Sequence, residues 1–141
     1  MLTGKAALVT GGCLCGAVRY ETDAAPAWTA ICYCRDCQRA SGSGYVPVMG
    51  VVRGAMRISG ETNTYVVTAA GGGPSTRHFC PTCGSLIFGG VEGPADETMS
   101  VYIGTLDDPS WWRPGIAIFT KNRQPWDCAV AGATEYEAMP G

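Results

Sequence analysis

Eight cysteines fall into four groups: C-x-C at Cys13 and Cys15, C-x-C-x-x-C at Cys32, Cys34 and Cys37, C-x-x-C at Cys80 and Cys83, and a lone Cys128. Thiolates spaced by one or two residues on a tight turn aim several sulfurs at one ion about 2.3 Å away. In FCPTCGS (Phe79–Ser85), Pro81 stiffens the turn and Gly84 lets the backbone fold back under the second sulfur; GGCLCGA (Gly11–Ala17) is likewise flanked by glycines. Pairing these two pieces gives four thiolates, the closed tetrahedral set of a structural zinc site. Cys32, Cys34 and Cys37 then remain as three. Zinc on three protein ligands keeps a fourth position for water or substrate, which is the pattern of a catalytic site.

Other uses of these residues stay open at this point. Disulfides would suit a secreted chain, and a rubredoxin-type iron site would need a second C-x-x-C where the first pair is C-x-C. The trio is alternatively closed by Cys128 or by His78, the single histidine. Cys128 by itself reads as a small buried hydrophobe, and His78 as a neighbour or surface residue rather than a ligand. Arg35, Arg39 and Lys121 are candidates for an anionic substrate, against the plainer role of solvated surface. Tyr33 either touches substrate or shields the metal. Trp111, Trp112 and Trp126 either wall a pocket or belong to the core. Asp36 is either a proton acceptor or a helix cap.

The elements that must position these residues are short. AVRYET (Ala17–Thr22), WTAIC (Trp28–Cys32), YVPVMGVV (Tyr45–Val52), MRIS (Met56–Ser59), TYVVT ending at Thr68, SLIFG (Ser85–Gly89), MSVYIG (Met99–Gly104) and IAIFT (Ile116–Thr120) read as strands. Glycine and proline punctuate the gaps, and 20 glycines with 9 prolines leave little room for long helices. One helical turn is expected, RDCQRAS (Arg35–Ser41), directly after the trio. Pro47 implies an edge or a bulge in its strand.

The 141 residues fit one domain spanning 1–141, with 46% hydrophobic and 16% charged residues, a globular composition. A net charge of −2 argues against nucleic-acid binding, and no apolar run reaches the roughly 20 residues of a membrane helix. The N-terminal apolar stretch is too short for a signal-peptide core, so a cytoplasmic location is expected, where thiols stay reduced and clustered cysteines hold metal. ALVTGG opens like a dinucleotide-binding turn, but Cys13 and Cys15 break the glycine spacing and a strand-like run follows.

GGCLCGAVRYE, CYCRDCQRASGSGY and FCPTCGSLIFGG together resemble the GFA domain, the family of glutathione-dependent formaldehyde-activating enzymes; DDPSWWRPGIAIFTKNRQPW and YEAMPG resemble its C-terminal segment. The resemblance implies a mostly β fold of the β-tent type, made of short antiparallel strands with one short helical turn. It implies two zinc ions: a structural one on Cys13, Cys15, Cys80 and Cys83, and a catalytic one on Cys32, Cys34 and Cys37. The implied activity is that of a carbon–sulfur lyase condensing glutathione, or a similar small thiol, with formaldehyde to S-hydroxymethylglutathione. Cys128 is outside the resembling ligand pattern. The alternative from a different class is a non-catalytic zinc module whose three-cysteine site holds metal loosely.

Overall fold

The computed structural model describes residues 7–69 and 72–140. The eight expected runs fold largely where expected, as β2 Arg19–Thr22, β3 Trp28–Cys32, β4 Val46–Val52, β5 Arg57–Ser59, β6 Asn63–Thr68, β8 Leu86–Gly89, β9 Thr98–Tyr102 and β10 Ile116–Ile118. Three further strands lie outside those runs: β1 Val9–Gly12, β7 Pro74–Phe79 and β11 Thr134–Glu135. The chain is mostly β; among the described residues there is one α-helix, α1 at Arg35–Ser41, and three single 3-10 turns at Arg53–Ala55, Ile103–Thr105 and Thr120–Asn122. The first six residues, where the question of a leader lies, and Gly71 in the GGGP turn are outside the described residues.

Two sheets form. The smaller has the order β1-β2-β5; the larger runs β11-β10-β3-β4-β9-β8-β7-β6. Most pairs are antiparallel, those joined by the short connections β1–β2, β6–β7 and β7–β8 among them. The β3–β10 and β10–β11 pairs are parallel, because the chain returns over a long crossover after β9 before β10 is laid beside β3. β4 is internal and not an edge strand, yet Pro47 faces Ile31 on one side while the β9 ladder begins only at Val48. The missing N–H therefore costs no ladder bond on the β9 side.

Alternation along the strands divides the core. Met49, Val51, Met99, Val101 and Phe88 pack against Val18, just before β2, and Tyr20 of the small sheet, where the Tyr20 and Phe88 rings meet edge-on at 5.2 Å. Ala30, Cys32, Val46, Val48 and Tyr102 form a second cluster with Cys37 of α1. Ile31, Tyr33 and Ala117 form a third. The small sheet is tied down at its rim. Asp107 accepts from the Thr10 hydroxyl (2.7 Å) and from both Arg19 Nη atoms, and Arg19 holds its carboxyl down at about 2.

Gly11 belongs to this junction. A Cβ there would sit 2.4 Å from the Thr105 carbonyl oxygen and 2.4 Å from the Tyr20 hydroxyl. Backbone cannot give way as a flexible side chain does, so Gly11→Ala is expected to cost about 1–3 kcal/mol by overpacking. Urea denaturation of the two proteins measures it.

Candidate metal centres

The first cysteine pair lies on the turn between β1 and β2. Cys13 N–H donates to the Val18 carbonyl (3.0 Å) and Gly16 N–H to the Cys13 carbonyl (3.2 Å), with Gly16 at φ +85°, where a side chain would be strained. The second pair lies between β7 and β8. Gly84 N–H donates to the Cys80 carbonyl (2.8 Å), with Gly84 at φ +79°. The turns are joined through Ser85, whose hydroxyl accepts from Leu14 N–H (3.0 Å) and lies 3.2 Å from Cys83 Sγ.

All four sulfurs lie within 4.8 Å of one another. The Cys13–Cys15 and Cys15–Cys80 Sγ separations are 3.7 and 3.8 Å. A tetrahedron with zinc–sulfur bonds of about 2.3 Å has an edge of about 3.8 Å, so the spacing fits such an ion. Backbone N–H groups already face the sulfurs: Val18 donates to Cys13 Sγ (3.3 Å), and Thr82 and Cys83 to Cys80 Sγ (3.4 and 3.5 Å). Such donors favour thiolate. The Val18 N–H pulls the Cys13 thiol below its ordinary value, and the Ser85 hydroxyl brings Cys83 down to about 5.

Cys32 ends β3 and Cys37 lies in α1, both buried, with Cys34 half-buried between them. Their three sulfurs also lie within 4.8 Å of one another, and no fourth Cys, His, Asp or Glu among the described residues joins them. Cys34 is the helix N-cap, its Sγ accepting from Cys37 N–H at 3.3 Å. Of the two roles open to Asp36, proton acceptor or cap, the second is excluded: it is exposed in the first turn and does not cap. The helix stops at Gly42, whose φ of +73° is a left-handed C-cap that glycine takes without strain. Buried Gln38 donates to the Tyr33 and Asn122 carbonyls (2.8 and 2.9 Å), fixing α1 against the chain around it. Hydrogen bonds from Cys32 and Cys37 favour the Cys34 thiolate, while the same contact pushes Cys32 up. Three packed thiols cannot all ionise unaided, so a cation is what the trio requires to act as three thiolates. Both groups can hold a metal ion.

The remaining candidates separate clearly. Cys128 is exposed, not buried, because the segment after Trp126 runs over the surface. Neither it nor His78 joins the trio. His78 is engaged at both ring nitrogens, by the Thr62 hydroxyl (3.0 Å) and Glu92 (2.8 Å). Tyr33 is fully buried and its hydroxyl donates to the Cys128 carbonyl (3.3 Å), with Arg123 4.7 Å above its ring. It packs with Ile31 and Ala117, away from the cluster that contains Cys32 and Cys37. Arg35, Arg39 and Lys121 are exposed. Trp112 packs against the core, whereas Trp111 and Trp126 are exposed.

Arg77 and Tyr102 were missed. Arg77 Nη1 donates to the Tyr102 hydroxyl (2.6 Å) and Nη2 points at Cys37 Sγ (3.7 Å). β7 and β3 are separated by three strands, about 19 Å across a flat sheet at ~4.8 Å per spacing. The contact exists because α1 packs back onto the sheet, with Cys37 in one cluster with Val46 and Tyr102, and the long Arg77 side chain reaches both Tyr102 and Cys37. The only local signal is the position of Arg77, three residues before Cys80 on a strand that its composition does not announce.

A family model described as glutathione-dependent formaldehyde-activating enzyme matches residues 8–122. The chain belongs to this GFA family. This GFA chain is 33% identical over 86 residues to a Halomonas elongata protein provisionally named glutathione-dependent formaldehyde-activating enzyme. That match takes in 57% of the GFA chain and 55% of the relative, so the chain spans about half the length of the curated relative it matches. Its fold is similar to a crystal structure of a Rhodobacter sphaeroides protein from structural genomics, with a TM-score of 0.52 and 23% identity over 70% of this chain and 87% of that one.

Proposed function

We propose that the protein is a zinc-dependent carbon–sulfur lyase that joins a small thiol, glutathione or one like it, to formaldehyde. Cys13, Cys15, Cys80 and Cys83 hold a structural zinc, and Cys32, Cys34 and Cys37 hold a catalytic one, in a single domain. The observation that carries this reading is the trio: three sulfurs gathered within 4.8 Å, joined by no fourth side chain of a ligating type among the described residues. Family membership supplies the substrate class.

Zinc at the trio supplies Lewis acidity, which favours a substrate thiol in its nucleophilic thiolate form at neutral pH. In the overall reaction one carbon–sulfur bond forms, the carbonyl π pair moves to oxygen, and the thiol proton is delivered there through solvent. Nothing is oxidised or reduced. The chain's own contribution is positional. β3 and the N-terminus of α1 set the three sulfurs, Gln38 anchors the helix, and Val46, Val48 and Tyr102 pack the inner side of the centre against water.

The test is the rate of S-hydroxymethylglutathione formation from glutathione and formaldehyde with the zinc-loaded protein. A rate above the uncatalysed one supports the proposal. No turnover, together with easy removal of the trio's metal by a chelator, favours the non-catalytic zinc module.

A further inference from the structure

Arg19, Arg53, Arg57 and Arg123 each meet a carboxylate: Asp107, Glu92, Glu21 and Glu135. Arg77 has no such partner among the described residues. Half-buried, it spends its two Nη groups on a phenol and a cysteine sulfur. Withdrawing a guanidinium from water without a counter-charge is costly, so its placement calls for an anion at the sulfurs.

The surroundings hold it there. Tyr102 is buried, and its hydroxyl accepts from Arg77 Nη1. Gly89 leaves the space this needs, since a Cβ at that position would lie 2.7 Å from the Tyr102 oxygen. Three thiolates around a divalent cation carry one negative charge in surplus, and an anionic fourth ligand would add a second. A neutral ligand adds none. A fixed guanidinium against one of the sulfurs therefore compensates the surplus and lowers the electrostatic cost of the anion.

We infer that Arg77, clamped by Tyr102, is the positioning residue that makes the three-cysteine centre accept a thiolate in preference to a neutral ligand. This rests on the trio being an open zinc centre.

Cobalt-substituted protein allows the two kinds of ligand to be compared through the metal's visible spectrum. The probes are 2-mercaptoethanol, whose thiolate is its only charge, and imidazole, which is neutral. Arg77→Met is expected to keep two metals per chain, weaken 2-mercaptoethanol by about tenfold or more, and leave imidazole within about twofold. Arg77→Lys retains the charge but not the fork and is expected to recover part of the loss. Tyr102→Phe, which frees the guanidinium without removing it, is expected to weaken 2-mercaptoethanol alone, and it decides the matter should Arg77→Met not fold. Wild-type thiol affinity in a metal-replete Arg77→Met protein, or equal weakening of both probes, would overturn the inference and leave the zinc centre standing. A wild-type protein with no metal at the trio would overturn both.

Discussion

Cys80→Ser is expected to leave the chain unfolded or aggregated. Cys80 is fully buried, sits where β7 gives way to the turn before β8, and receives two backbone N–H groups on its sulfur. Around it the β1–β2 turn and the β7–β8 turn meet, although they are 65 residues apart in the chain. On the proposed assignment a zinc ion clasps them. Structural zinc contributes about 10–16 kcal/mol of apparent binding energy in small peptides at neutral pH. A domain of this size has only about 5–15 kcal/mol of net stability. Losing one of four thiolates therefore removes a contribution comparable to the whole stability, and the small sheet loses its hold on the large one. Expression, thermal melting and metal content of the variant test this. A soluble, cooperatively melting Cys80→Ser protein without metal at that site would contradict the structural assignment.

Cys34→Ser is expected to behave in the opposite way: a folded protein, one zinc per chain where the wild type has two, and adduct formation at the uncatalysed rate. Cys34 is half-buried and its structural duty is to cap α1 through Cys37 N–H. Serine is among the best N-cap residues, so the substitution preserves the helix start. The metal has no such substitute. Two thiolates and a hydroxyl do not make three thiolates, and changing only the groups that hydrogen-bond to a metal ligand typically costs 10–100-fold in affinity or activity. Removing a ligand is expected to cost at least about hundredfold in rate. Circular dichroism shows whether the fold survives, and elemental analysis with the glutathione–formaldehyde assay shows whether the site does. Unchanged activity in Cys34→Ser would sink the catalytic role of the trio.

The contrast between these two variants follows from what the chain declares locally. The cysteine groups are legible in the sequence because ligand turns are local: Gly16 and Gly84 take positive φ beside their sulfurs, and α1 begins inside the C-x-C-x-x-C motif, capped by Cys34 and carrying Cys37. Strands rich in β-branched residues are legible for the same reason, and β3 and β4 fall on their predicted runs. β7 is not, because PSTRHF has one β-branched residue and begins with proline; its pairing with β6 and β8 decides it. β10 falls on its expected run, but its parallel pairing with β3 is not legible, since no turn signal encodes a partner laid down over 80 residues earlier. Arg77 belongs with these. Its role depends on β7 and α1 meeting around Tyr102, which the strand order of the whole sheet and the packing of α1 decide. Cys128 shows the reverse error: a free cysteine favours cores on average, but the surface course of its segment overrides that preference.

The most direct measurement is anomalous diffraction from crystals at the zinc absorption edge. Two peaks per chain are predicted, one ringed by the sulfurs of Cys13, Cys15, Cys80 and Cys83, the other touching Cys32, Cys34 and Cys37 with a non-protein fourth ligand. A single peak, disulfide bonds within either group, or a protein side chain completing the second would contradict the division into a closed and an open centre.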